Sequence, residues 1–171
     1  DQVRFGRGNL VHTLLEWLPD VPAPERRERA LPWLSRPGHG LDSAAVEPLW
    51  QEVEAVLENA AFTDIFGPGS RAEVSLTGVI GDQVISAQVD RLLVNDDRIL
   101  VVDYKTNRPP PDQVTGVDPA YVRQLALYRA LLAALWPDRP VRAALLWTDR
   151  CQMMELPSDM LDRYAPGATS N

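Results

Sequence analysis

A strand-like run that ends in charge is the first feature with chemical potential. In ILVVDYKTNRPP, residues 99–110, four apolar residues lead straight into Asp103, Tyr104 and Lys105. Buried charges are costly unless they are paired or bind something. Residues two apart on a strand share a face, so Asp103 and Lys105 point together while Tyr104 points away. Asp90, in AQVDRLLV, lies near the end of the preceding strand-like run. Turning the chain at Asn95–Asp97 so that Val94 faces Ile99 sets Asp90 directly opposite Asp103. Two carboxylates side by side repel each other, and a hard divalent cation bound by oxygen ligands removes that cost. A lysine beside such a pair can orient or deprotonate water, or stabilise developing negative charge. The ordinary alternative is an edge-strand Asp103–Lys105 ion pair with Asp90 in solvent, and a lone Asp-x-Lys is far more often that.

Other polar residues sit at positions where they could join such a site. His12 lies on or near the apolar face of a helical segment, between Leu10 and Leu14, where a histidine is more often a satisfied core residue than a ligand. Arg4 and Arg7 precede it and could meet phosphate or simply solvent. Gln124 and Tyr128 are four apart on a helical stretch and project from one face. They offer an amide and a phenol at a site edge, or two side chains that meet water. His39, in RPGHG, reads as a loop residue.

The elements that must hold these residues follow from periodicity. RGNLVHTLLEWLPD has Leu10, Leu14, Leu15 and Leu18 at helical spacing, with Asn9 as N-cap and Pro19 as the stop. APERRERALPWLSRPG predicts a second helix ending near Ser35. LDSAAVEPLWQEVEAVLENAAF predicts a third, capped by Asp42 or Ser43 and amphipathic through Val46, Leu49, Val53, Val56 and Leu57. From residue 70 the pattern changes to β-branched alternation, with turns at Gly81-Asp82 and Asn95–Asp97. Three antiparallel strands are expected near 71–79, 83–94 and 98–105. A proline-rich loop follows, then a helix in PAYVRQLALYRALLAALW with Leu125, Leu131, Leu132 and Leu135 as its core stripe. VRAALLWT and CQMMEL read as strands and PSDMLDRYA as a final helix. A helix followed by a strand that rejoins the sheet permits a mixed sheet with helices on both sides. The fold class is α/β, with a helical region in residues 1–65 preceding a sheet core in 70–156, all one domain over 1–171.

Composition narrows the function classes. The chain has 171 residues, 45% hydrophobic and 24% charged, enough to bury a core. No apolar run is long enough to span a bilayer and the first residues are not a signal peptide, so a cytoplasmic protein without membrane partners is expected. The single cysteine, Cys151, leaves no basis for a disulfide framework, a cysteine zinc site or an iron–sulfur cluster. A net charge of −7 argues against a free-standing nucleic-acid binder, although a local groove could still hold a strand.

Taken in order, four of these segments resemble the PD-(D/E)XK nuclease superfamily and its RecB-type members. They are a helix with His12 (GNLVHTLLE), a strand ending in Asp90 (AQVDRLLV), a strand ending in Asp103, Lys105 and Thr106 (VVDYKTN), and a helix with Gln124 and Tyr128 (RQLALYRALL). DYKTN followed by YVRQLALYRALL is most similar to the C-terminal nuclease domains of AddA-type helicase–nuclease subunits, and the similarity runs from Gly8 to Trp147. The resemblance implies a restriction-endonuclease-like fold and Mg²⁺-dependent cleavage of DNA, with Mn²⁺ also accepted. His12, Asp90, Asp103 and the backbone carbonyl of Tyr104 would ligate the metal. Lys105, with Asp90 and Asp103, would be catalytic; Gln124, Tyr128, Thr106 and Glu73 would border the substrate. It further implies a fragment of a longer bacterial protein that receives a single strand from an attached helicase, the only part to use ATP, and that works with an AddB-type partner. The family often has glycine two residues before the strand aspartate, where this chain has Gln88. The missing cysteines separate it from iron–sulfur relatives. Two alternatives remain open: an inactive nuclease-like scaffold, in which a ligand or the lysine is usually lost, and a free-standing nuclease of the same fold.

Overall fold

The computed structural model describes residues 2–168, with side chains from residue 6 onward. Arg4, considered above for phosphate, lies outside the described side chains. The helical part is α1 (Gln2–Trp17), α2 (Ala23–Leu34) and α3 (Ser43–Glu58). The sheet part follows as β1 (Ser70–Ile80), β2 (Gln83–Val94), β3 (Ile99–Lys105), α4 (Pro119–Leu135), β4 (Val141–Trp147), β5 (Gln152–Glu155) and α5 (Ser158–Arg163). The five strands lie side by side in sequence order. All neighbours are antiparallel except β3 and β4, which run parallel. Parallel neighbours need a crossover, and α4 supplies it. The mixed sheet flanked by helices, with helices first, is the architecture expected from the sequence. No described helix is long and apolar enough to cross a membrane.

Two cores form on the two faces of the sheet. Leu100, Val102, Tyr104, Ala144 and Leu146 face α1–α3, where they join Leu14, Leu15, Trp50 and Val53. Val101, Ala143, Leu145 and Trp147 face α4 and meet Leu125, Leu131 and Leu132. Because β3 and β4 are covered on both sides, their sequences are continuous apolar runs instead of alternating ones. The hairpin register is the one expected: Val94 pairs with Ile99, and the ladder ends at Arg91–Val102, one step before Asp90 and Asp103.

Two local expectations change. Helix α1 begins at Gln2, so Asn9 is interior; its carbonyl accepts a bond from the Thr13 hydroxyl at 2.9 Å. Gly8, also interior to α1, permits close packing: a Cβ there would lie 3.0 Å from Thr106 Oγ1. Leu135 is 51% exposed, because it is the last residue of α4 and has turned past the core. The α3 cap is Asp42, which accepts from the Ala44 N–H at 3.0 Å.

The β1–β2 pair is distorted where it matters for the site. Glu73 has φ of 50°, a left-handed conformation that disfavours side chains with a Cβ. It lies opposite Asp90, and the ladder omits this pair while keeping Ala72–Arg91 and Val74–Val89. On β2, Val89 and Leu92 both pack towards α4 although they are three apart. The two-residue alternation therefore breaks at Asp90–Arg91.

Candidate active site

The carboxyl end of β3 is where the polar residues meet. Asp103 and Lys105 leave the strand on the α4 face, and the ladder to β2 has ended beside them. The Tyr104 N–H, left without a strand partner, donates to Asp90 Oδ2 at 2.8 Å. A residue's N–H and C=O leave a strand by the same edge, so the Tyr104 carbonyl also faces the gap beside Asp90. His12 reaches the same place from α1, with Nδ1 3.4 Å from Asp90 Oδ1. Its ring stands edge-on to Tyr104 at 5.5 Å.

On the other side, Lys105 Nζ lies 2.6 Å from Asp103 Oδ2. This amine is the close charge partner of the buried Oδ2. Lys105 donates to Gln124 Oε1 at 3.3 Å, Gln124 Nε2 donates to the Tyr128 hydroxyl at 2.9 Å, and that hydroxyl donates to the Gln88 carbonyl at 3.3 Å. Position 88 thus contributes its backbone while its side chain is exposed, which is why glutamine serves there.

The electrostatics follow from burial and crowding of charge. Asp103 is 5% exposed, and burial followed by the Asp90 charge pushes its carboxyl up to about 6 against the pull of Lys105. Asp90 behaves oppositely. Burial would raise it, but the facing His12 and the Tyr104 N–H hold it below the usual range. His12 is correspondingly raised: burial works against its charge, and Asp90 and then Asp103 outweigh that. Burial, then the Asp90 charge, raises half-buried Glu73. Tyr128 is raised to about 12 by burial and the two aspartates, so it stays a neutral donor.

The donor set suits a divalent cation. Two carboxylates from adjacent strands and an imidazole from α1 converge, and burial with the Asp90 charge makes the Asp103 carboxylate costly to ionise. These are oxygen-rich, hard donors of the kind Mg²⁺ takes, and the imidazole also suits Mn²⁺. Among the described residues no three such side chains already form a ready-made cation site; His12 and Asp90 are turned to each other. Thr106 lies close to Gly8 of α1, and Glu73 lies opposite Asp90 on the distorted segment of β1.

Sequence reading missed the residues that brace this arrangement. Arg91 is 4% exposed and donates to the Leu15 carbonyl at 3.0 Å, the Tyr104 hydroxyl at 3.2 Å and Ser70 Oγ at 3.2 Å. Its signal was an arginine inside an apolar run, VDRLLV. Glu52 is buried on α3, where it pairs with Arg7, accepts from Arg108 at 3.0 Å and from Thr148 Oγ1 at 3.0 Å. The Thr148 N–H in turn holds the Lys105 carbonyl at 3.0 Å. Nothing in the helical pattern of α3 marked Glu52 as different from its other glutamates.

A family profile described as the PD-(D/E)XK nuclease superfamily matches residues 1–162. The crystal structure of a "Putative exonuclease" from Eubacterium rectale superposes with a TM-score of 0.60 at 12% identity, over 92% of this chain and 62% of that one. The chain therefore spans less than two thirds of that protein's length. The structure of SSO0001 gives a TM-score of 0.40 at 16% identity, over 94% of this chain and 82% of its own, too loose a likeness to bear on the fold. None of the curated proteins matches the sequence.

Proposed function

The chain belongs to the PD-(D/E)XK nuclease superfamily and has its restriction-endonuclease-like fold, and from that premise we propose that it hydrolyses phosphodiester bonds at single-stranded DNA ends. In this reading residues 1–171 are the nuclease domain of an AddAB-type helicase–nuclease that acts in double-strand-break repair and recombination in the bacterial cytoplasm. The observation that carries the catalytic part is the continuous chain of contacts His12–Asp90–Tyr104 N–H and Asp103–Lys105–Gln124–Tyr128, drawn from four separate elements.

His12, Asp90, Asp103 and the Tyr104 carbonyl are the groups that would hold Mg²⁺ or Mn²⁺. When bound, such an ion lowers the pKa of water and offsets phosphate charge. Lys105 lies beside Asp103, where its side chain positions the attacking water and meets negative charge developing on the phosphoryl oxygens. Gln124 fixes that side chain, and Tyr128 fixes Gln124. Water forms one P–O bond, the bond to the leaving sugar oxygen breaks, and that oxygen takes up a proton. Thr106 and Glu73 border the strand's path.

The AddA-type assignment rests on DYKTN and YVRQLALYRALL and on the lack of the cysteines that an AddB-type chain carries. The net charge of −7 also fits a module whose strand is delivered by a tethered motor, since tethering supplies local concentration without a basic surface. ATP is consumed in the helicase part, and an AddB-type subunit is the partner.

The test is cleavage of end-labelled single-stranded DNA with Mg²⁺, Mn²⁺ or chelator, alongside Lys105→Ala. Cation-dependent cleavage that the variant loses is the expected result. A protein that cuts with neither cation, or a variant that cuts normally, refutes the catalytic reading. Helicase motifs upstream in the reading frame test the wider assignment separately.

A further inference from the structure

Beside Lys105, on the sheet face covered by α4, lies a groove of about 360 Å³. That is within the range of about 300–1,000 Å³ usual for small-ligand sites. Its inner wall is Trp147, the register partner of Lys105 across β3 and β4. Trp147 is 2% exposed, so it forms the floor of the groove and offers only the edge of its ring.

A second aromatic wall is Tyr121, in the first turn of α4. Its ring lies 6.4 Å from that of Trp147, tilted by 52°. Lys105 Nζ lies 4.0 Å from the Tyr121 ring centroid, so one ring joins the groove to the candidate catalytic lysine. Pro109 and Pro111 form the opposite side. Gly116 lets that loop fold close, since a Cβ there would lie 3.1 Å from Pro111 Cβ. At the rim, Asn107 donates its amide to the Tyr121 hydroxyl at 2.9 Å. Asp118 uses one carboxylate oxygen to cap α4 through the Ala120 N–H, and its other oxygen lies outside that bond.

These walls select a class of ligand. Aromatic rings and prolines favour a flat, unsaturated ring. An amide and a carboxylate at the rim suit a ring that carries both acceptors and N–H donors. The carboxylate disfavours phosphate, and the flat walls give no particular advantage to a branched aliphatic group. We propose that the groove is a nucleobase subsite, taking one base of the DNA strand beside the bond that is cut. The proposal rests on the nuclease reading above. Stacking of this kind tolerates any base, because every base has a π-face. It also gives an acidic protein a hold on a strand that does not depend on phosphate charge.

The test compares the whole protein's affinity for two labelled single strands of equal length, measured by fluorescence anisotropy in chelator at low salt. One is oligothymidylate; the other carries abasic residues throughout, with the same phosphates and no bases. The expected result is about tenfold tighter binding of oligothymidylate, in the range that one stacked base supplies. Tyr121→Leu should abolish the difference and Tyr121→Phe should keep it. Equal affinity of the wild type for both strands overturns the proposal, whatever the variants do. So does a difference that survives in a folded Tyr121→Leu protein. Cation-dependent cleavage of oligothymidylate is measured alongside. Cleavage without base discrimination sinks only the subsite, and discrimination without cleavage sinks only the nuclease reading.

Discussion

Asp103→Asn should make the protein more stable while removing its activity. The Asp103 carboxyl stands at about 6 against an ordinary value of 3.8, because burial and then the Asp90 charge outweigh Lys105. The folded state therefore holds this proton more tightly than the unfolded one. Its stabilising contribution is complete below 3.8 and is lost as pH rises through about 6. At about 1.4 kcal/mol per pH unit, the ionised carboxylate at pH 8 costs about 3 kcal/mol. Asparagine avoids that cost but leaves Lys105 without its counter-charge, so a net gain of about 1–2 kcal/mol is expected. For a chain of this size that is a rise of about 2–8 °C in melting temperature. Melts in chelator should show the full gain at pH 8 and little or none at pH 5, where the avoided cost has fallen to about 1.6 kcal/mol. Saturating Mn²⁺ at 100 times its Kd should then stabilise the wild type by about 2.7 kcal/mol and leave the variant unmoved. If the variant melts at or below the wild type at pH 8, Asp103 is not short of positive charge, and the physical case for a cation beside it fails.

Lys105→Ala should retain Mn²⁺ binding by calorimetry and lose cleavage by about 10²–10³-fold, the usual range for one group that stabilises developing charge. Cation binding by the wild type should weaken as pH falls below about 6, where Asp103 of the metal-free protein takes up its proton; a Kd for Mn²⁺ flat from pH 5 to 8 by calorimetry would contradict this. Arg91→Ala should lower stability by about 3 kcal/mol in urea unfolding, because it strands the Leu15 carbonyl, the Tyr104 hydroxyl and Ser70 without their shared donor. A loss under 1 kcal/mol would mean that water replaces the guanidinium there.

Local patterns carried the sheet further than they carried the helices. Turn residues at Asn95–Asp97, flanked by apolar alternation, fix Val94 opposite Ile99, and the Asp90–Asp103 juxtaposition follows from that register alone. The unbroken apolar runs of β3 and β4 similarly betray strands covered on both faces. Gln124 and Tyr128 share a helix face by spacing, but that they hold Lys105 depends on how α4 crosses the sheet. His12 is harder still. Its meeting with Asp90 depends on the packing of α1 against β2, a contact between distant parts of the chain that no local period encodes. Gly8 gave no local sign of its role either, which is to let α1 lie close to Thr106. The distortion at Glu73 was invisible as well: its sequence reads as an ordinary strand, and no glycine or asparagine announces the positive φ.

The braces around α1 explain why a helical region must precede the sheet. His12 lies between two anchors on its own helix. Arg7, five residues before it, is tied to buried Glu52 on α3, and the Leu15 carbonyl, three residues after it, is tied to Arg91 on β2. Each anchor also grips β3. Glu52 accepts from Thr148, whose N–H holds the Lys105 carbonyl, and Arg91 donates to the Tyr104 hydroxyl. The imidazole and the ammonium are thus referenced to the same strand by separate buried networks, one on either side of the aspartates. Groups held this way lose little freedom when a substrate arrives, and positioning fixed in advance is what lets a site act at the moment of reaction. The helices are therefore as much a part of the site as the strand ends: without α3 there is no Glu52 to hold Arg7 and Thr148, and the imidazole would be positioned from one side only.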